Sequence, residues 1–268
     1  MLYLSHMASK EIKELSDSSQ EKELSGPAAE MVKAGLHFGS TTSKINPKMK
    51  PFLYGVRNGI HIIDVEKTAE MLEQALGFIK NLIFERKIIL LVGTSVQFKE
   101  LVKKTALECN IPYINERWLG GTLSNFGVIR KRVQYFIELE EKKKSGELEK
   151  YTKKERAQFD KELADLEIKF GGIKNLSKLP DAVFVVNTRA DDLAIKEAIQ
   201  KEVKTIAIVD TDADPSVIDY PIPANDDAIS SVGYVLDKAK EVILKTTPKK
   251  IEEKAEDKDI SVKEKKDK

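Results

Sequence analysis

Three stretches of this chain, Lys87–Val92 (KIILLV), Ala182–Val186 (AVFVV) and Thr205–Val209 (TIAIV), are almost wholly apolar in a sequence that is 33% charged. A strand with one face in water alternates polar with apolar residues; one covered on both faces does not. These runs therefore read as internal strands of a covered sheet. Each closes on a polar turn, Gly93-Thr94-Ser95, Asn187-Thr188-Arg189 and Asp210-Thr211-Asp212, and the first two lead into helical patterns such as Leu193–Ala198. Strand, turn and helix in succession are the grammar of crossover connections, which make neighbouring strands parallel. A shorter run, Ile60-His61-Ile62-Ile63, precedes Asp64 and apolar residues at helical spacing (Ala69, Leu72, Leu76, Ile79). It predicts a further strand–helix unit.

The expected fold class is α/β, a parallel Rossmann-like or flavodoxin-like sheet covered by helices. Between the second and third helical units lies an insertion, 123–173, longer than a crossover needs. Phe126, Ile129, Val133 and Phe136 recur at spacings of three and four, as do Phe159, Leu163, Leu166 and Phe170. Such narrow seams suit a coiled-coil-like pair of helices. Ser145-Gly146 supplies a turn, Thr152-Lys153-Lys154-Glu155 fits a capping box that starts the second helix, and Gly171-Gly172 ends it. The tight turn favours an internal antiparallel hairpin over the alternative, a dimerisation coiled coil, so the chain is not read as an obligate homo-oligomer. The domain reading is then a core over 27–245 carrying the hairpin. It is flanked by a Ser/Glu/Lys-rich extension at 1–26, disordered or loosely helical, and a charged, disordered tail at 246–268.

Composition excludes several classes. Cys109 is the only cysteine, which rules out an internal disulfide or a multi-cysteine zinc cluster. No apolar run approaches the roughly 18 residues of a membrane span, and Met1–Met7 lacks the basic and apolar regions of a secretory signal, so no membrane partner and a cytoplasmic location are expected. Doubly wound sheets bind ligands beyond the carboxyl ends of their strands. Here the turn at Gly93 has one glycine where a dinucleotide fingerprint needs three, and no Gly-Lys-Ser/Thr follows to hold a triphosphate. Asn187, Asp210, Asp212 and Asp214 have oxygen donors suited to a divalent cation but are ordinary turn formers, and His37, His61 and Cys109 form no local nucleophile–base motif. A sugar-phosphate or nucleotide-using enzyme remains the alternative from fold analogy alone. No cofactor, metal or catalytic residue is expected.

Net charge, +1 from 45 basic and 44 acidic residues, says nothing for a nucleic-acid partner. The distribution does. From Met31 through Ile63 no acidic residue occurs, while Lys33, Lys44, Lys48, Lys50 and Arg57 are present, interleaved with His37, Phe38, Phe52 and Tyr54. Asn46, Asn58 and His61 add polar groups, and Gly35, Gly39, Gly55 and Gly59 let backbone approach a partner closely. A second acid-free window, Arg117 to Ile137, holds Arg117, Trp118, Arg130, Lys131 and Arg132, with Thr122, Ser124 and Asn125 available to phosphate or sugar.

Met31–Gly39 (MVKAGLHFG), Asn46–Pro51 (NPKMKP) and Arg57–Asp64 (RNGIHIID) resemble the opening signature of family number two of the small-subunit ribosomal proteins. Arg117–Phe126 (RWLGGTLSNF) resembles its second, and Gly171–Ile173, Leu179–Ala182 and Asp219–Ile229 resemble later ones. The resemblance implies a parallel α/β domain with a protruding helical hairpin, seated on small-subunit rRNA and neighbouring ribosomal proteins. It also implies a part in recruiting the large mRNA-binding protein number one of that subunit. The rRNA contacts expected within the two acid-free windows are His37, Lys44, Asn46, Lys48, Lys50, Tyr54, Arg57, Asn58, His61, Arg117, Trp118, Thr122, Asn125, Arg130, Lys131 and Arg132. Two departures stand out: Ser40, where relatives often carry a second histidine, and Asn187, where an aspartate is common.

Overall fold

The computed structural model describes residues 26–248. The extensions expected at 1–26 and 246–268 lie almost wholly outside them. The first half runs α1 (Pro27–Ala34), β1 (Phe38–Thr41), a 3-10 turn (Pro47–Phe52), β2 (Leu53–Arg57), β3 (Ile60–Ile63), α2 (Val65–Phe84), β4 (Ile89–Val92), α3 (Lys99–Cys109) and β5 (Tyr113–Ile114). The second half runs α4 (Phe126–Lys144), α5 (Lys153–Phe170), β6 (Ala182–Val185), α6 (Asp192–Gln200), β7 (Lys204–Val209), β8 (Tyr220–Pro223) and α7 (Ile229–Lys245), with further 3-10 turns at Glu147–Lys150, Gly171–Ile173 and Pro215–Val217.

The three apolar runs form the adjacent strands β4, β6 and β7, inside a five-stranded sheet of order β5-β4-β6-β7-β8 in which every pairing is parallel. Counted along the chain, that order is the doubly wound, flavodoxin-like arrangement. Successive side chains point to opposite faces. Thus Leu90, Val92, Val183, Val185, Ala207 and Val209 pack into one apolar cluster, and Ile89, Leu91, Phe184, Ile206 and Ile208 into the other, against residues of α2, α3 and α7. Both edge strands escape detection as apolar runs. β5 is two residues long, and β8 (YPIP) carries Pro221 and Pro223, which lack the N–H of an interior ladder and so suit an edge.

Ile60–Ile63 forms a strand followed by a helix, but not in the parallel sheet. It is the centre of a separate three-stranded antiparallel sheet of order β1-β3-β2. The cause is local: Asn58 (φ 52°) and Gly59 (φ 75°) both take left-handed backbone, a two-residue turn that folds β3 back onto β2. Asp64 then caps α2, its carboxylate accepting from the Glu66 N–H at 3.0 Å.

Within 123–173, α4 and α5 lie side by side. Lys143 meets Asp160 at 2.6 Å, and the Tyr135 hydroxyl donates to Glu162 at 3.1 Å. Ile129, Val133, Phe136 and Leu139 are buried with Leu163, Leu166 and Phe170 in the same cluster as one sheet face, so the apolar seam is used within the chain. The Thr152 hydroxyl accepts from the Glu155 N–H, and the Glu155 carboxylate accepts from the Thr152 N–H, closing the capping box. Gly172 has a role beyond ending a helix: a Cβ there would overlap the Tyr113 carbonyl and ring, so its bareness sets how closely the end of α5 approaches β5. No described helix is long and apolar enough to cross a membrane.

Candidate nucleic-acid interface

The crest beyond the strand ends, where a doubly wound enzyme would hold its ligand, is occupied by the protein's own acids. The Asp191 carboxylate accepts from the Thr94 N–H (3.2 Å) and hydroxyl (2.7 Å), taking the amide a phosphate would need. The single glycine of that turn, Gly93, packs internally, since a Cβ would stand 2.7 Å from Val102. Nearby, Asp210 accepts from the Ser40 hydroxyl at 2.6 Å and from the Thr211 N–H at 2.7 Å. Burial pushes the carboxyls of Asp191 and Asp210 up, and their hydrogen bonds only partly offset it. Asp226 is pushed to about 8 by burial first and then by the charges of Asp210, Asp227 and Asp212. The Thr94 N–H and hydroxyl and the Ser40 hydroxyl are already given to these carboxyls, so they are not free to donate to a phosphate. The crest disfavours nucleotides and sugar phosphates. Asn187 behaves as a turn former, its side-chain oxygen accepting from the Ala190 N–H at 2.8 Å. Among the described residues no group of three or more His, Cys, Asp or Glu side chains is arranged to hold a metal.

The first acid-free window builds the antiparallel sheet and the turn before it. Lys44, Lys50 and Arg57 are exposed and make no ion pair among the described residues, Asn58 is exposed in its turn, and Tyr54 is 82% exposed. Other members of this window are used inside the fold. Lys48 donates to Asp214 (2.8 Å) and Ser216 (2.7 Å); its bond to Asp214, with that from the Ser216 hydroxyl (2.6 Å), holds the Asp214 carboxyl down to about 2. Asn46 accepts from the Lys48 N–H at 3.0 Å, and its own N–H donates to the Thr211 carbonyl at 2.8 Å. His37 is half-buried against Phe38, ring centroids 4.0 Å apart, and burial lowers its pKa. His61 is buried, with no hydrogen-bond partner for either ring nitrogen, so its expected RNA contact is not available at this surface. The glycines also answer mainly to the fold. Gly35 caps α1 in left-handed backbone, a Cβ at Gly39 would overlap Thr211, and Gly59 makes the turn, which leaves Gly55 facing open space.

The second window divides in the same way. Arg117, Asn125, Arg130, Lys131 and Arg132 are exposed. Trp118 and Thr122 are not: the indole N–H points at the Glu197 carboxylate (3.3 Å), and the Thr122 hydroxyl donates to the Leu119 carbonyl (2.6 Å). Both leave the set of candidate RNA contacts, because loop 118–124 folds inward over α6. Consecutive helical positions are about 100° apart, so Arg130, Lys131 and Arg132 fan around α4 rather than forming one row. The residue that organises this region, Glu197, was not among the candidates. Its signal was a carboxylate in the inward register of α6, beside Ala194, Ile195 and Ala198.

An α/β fold whose crest donors are taken by its own carboxyls, with exposed cations on its flanking elements that have no ion pair among the described residues, fits the class of proteins that bind a polyanion. Residues 31–246 match the family described as ribosomal protein S2, and the chain belongs to that family, whose members are structural, non-enzymatic constituents of the ribosome. It is similar to the small ribosomal subunit protein uS2 of Coprothermobacter proteolyticus (42% identical over 215 residues, 80% of each chain). It is similar also to the proteins of that name from Dictyoglomus thermophilum (43% over 215 residues, 80% of this chain and 87% of the relative) and Chloroflexus aurantiacus (41% over 218 residues, 81% and 92%).

Proposed function

We propose that this protein works as a structural constituent of the small ribosomal subunit in the cytoplasm, held by small-subunit rRNA and neighbouring ribosomal proteins. The observation that carries the reading is family membership across residues 31–246. The rRNA contacts are assigned to Lys44, Lys50, Tyr54, Arg57 and Asn58 on the antiparallel sheet and its turn, and to Arg117, Asn125, Arg130, Lys131 and Arg132 at the base of the hairpin. These side chains are exposed, and the cations among them have no ion pair among the described residues. His37 and Asn46 support this surface from partly buried positions. A nearly neutral protein binds RNA through such local patches, which leaves the acidic crest and the paired helix surfaces to protein neighbours, among them the large mRNA-binding protein number one. The unit that docks is the core, 27–245, with its hairpin, 123–173.

Sedimentation of the tagged protein through sucrose gradients tests the reading. It should co-migrate with small subunits at low salt and dissociate progressively at high salt. Failure to co-migrate at any salt would refute it. Release of protein number one from subunits that lack this chain tests the finer assignment.

A further inference from the structure

We infer that Glu197 is a positioning residue for the second rRNA-binding segment: its buried carboxylate locks loop 118–124 and so sets where Arg117 and the start of α4 stand. The inference rests on reading that segment as an rRNA contact.

Glu197 is 5% exposed and lies on α6, a crossover helix of the parallel sheet. Both of its oxygens are used. Oε1 accepts from the Gly121 N–H (2.7 Å) and the Trp118 indole N–H (3.3 Å). Oε2 accepts from the Leu123 N–H (2.9 Å), the Ser124 N–H (3.0 Å) and the Ser124 hydroxyl (3.2 Å). Burial alone would push this carboxyl up, but the amides of Ser124, Gly121 and Leu123 and the indole together outweigh it and hold the group ionised. In return, the carboxylate satisfies backbone N–H groups that no strand partner takes. Gly121, at φ 95°, turns the chain so that these amides converge as a nest around one anion.

The lock joins parts of the chain 73 to 79 residues apart. On one side stands the rigid sheet with α6. On the other is a loop that begins next to Arg117 and runs into Asn125, whose N–H bonds the Gly121 carbonyl at 2.9 Å just before α4 starts. Release of the loop would free α4 to pivot and carry Arg130, Lys131 and Arg132 away from their places relative to Arg117.

Glutamine makes a sharp test. Because both oxygens accept, the amide NH₂ of Glu197→Gln faces N–H donors whichever way it turns. The substitution also removes a negative charge, and charge alone would tighten binding to RNA. The full-length variant is assayed by amide hydrogen exchange, and by binding to small subunits stripped of this protein across a salt series. The expected result is loss of protection at Gly121, Leu123 and Ser124 with β4, β6 and β7 still protected, and binding weaker by about tenfold. The salt dependence should also become shallower although no cation was removed, because displaced cations no longer reach phosphate. Glu197→Asp should move the same readouts in the same direction by less, and it decides the matter if the glutamine variant does not fold. Unopened amides, or opened amides with wild-type affinity and salt slope, would overturn the inference. A separate variant with Arg117, Arg130, Lys131 and Arg132 all changed to Gln tests the reading beneath it: a wild-type slope there removes the segment's rRNA role whatever Glu197 does.

Discussion

Lys44, Lys50 and Arg57 are exposed and without ion pairs among the described residues, whereas Lys48, in the same window, is bound to Asp214 and Ser216. Each cation that meets a phosphate releases counterions and contributes about 0.7 to 0.9 to the slope of log K against log salt. Changing all three free cations to Gln should therefore make the slope shallower by about 2 to 3. Lys48→Gln should change it by well under the about 0.7 of one phosphate-bound cation, because that ammonium already has a carboxylate partner. The Lys48–Asp214 pair is itself exposed, so losing it costs the fold about 1 kcal/mol at most. The assay is equilibrium binding of each variant to stripped small subunits over a series of salt concentrations, with thermal melts to confirm that the fold is intact. A triple variant with the wild-type slope would refute the assignment. So would a Lys48 variant whose slope falls by about 0.7 or more, as much as one of the other three cations, since it would show that internal pairing does not withdraw a lysine from RNA.

Two further outcomes concern the fold. Asp226 keeps its proton in the folded state until about pH 8 but ionises near pH 4 when unfolded, so its raised pKa makes stability fall as pH rises between those values. Asp226→Asn does not titrate: its melting temperature should exceed that of the wild type most at pH 8 and above and converge with it near pH 4, and a gap independent of pH would count against this origin. Gly172→Ala forces a methyl group onto the Tyr113 carbonyl and should cost about 1 to 3 kcal/mol in chemical denaturation, by overpacking where α5 meets β5; an unchanged midpoint would show that the contact yields freely.

Much of the fold was legible. β4, β6 and β7 could be read because burial on both faces leaves unbroken apolar runs, and the seams of α4 and α5 because helical period and capping are local properties. The antiparallel sheet was legible in principle, since Asn58-Gly59 is the residue pair that a two-residue hairpin turn prefers. The Ile60–Ile63 run has the same apolar pattern as the strand of a strand–helix unit, so periodicity alone does not separate the two. β8 was hidden by its prolines and β5 by its length.

The candidate site was legible only as a pool of residues. Absence of acids over 31–63 and 117–137 is a property of the sequence, and it located the basic segments without any coordinates. Which members of the pool face a partner depends on contacts that no local pattern records. Lys48 is held by an aspartate 166 residues away, and Trp118 turns inward to a glutamate 79 residues away. Thr122 and His61 are simply covered. Composition and periodicity determined which segments are buried or helical and where positive charge collects, because those depend on neighbours a few positions apart. Tertiary structure alone decided which cations remain unpaired and which carboxylate holds the loop that carries them, because a counter-ion or an anchoring acceptor can come from anywhere the folded chain passes.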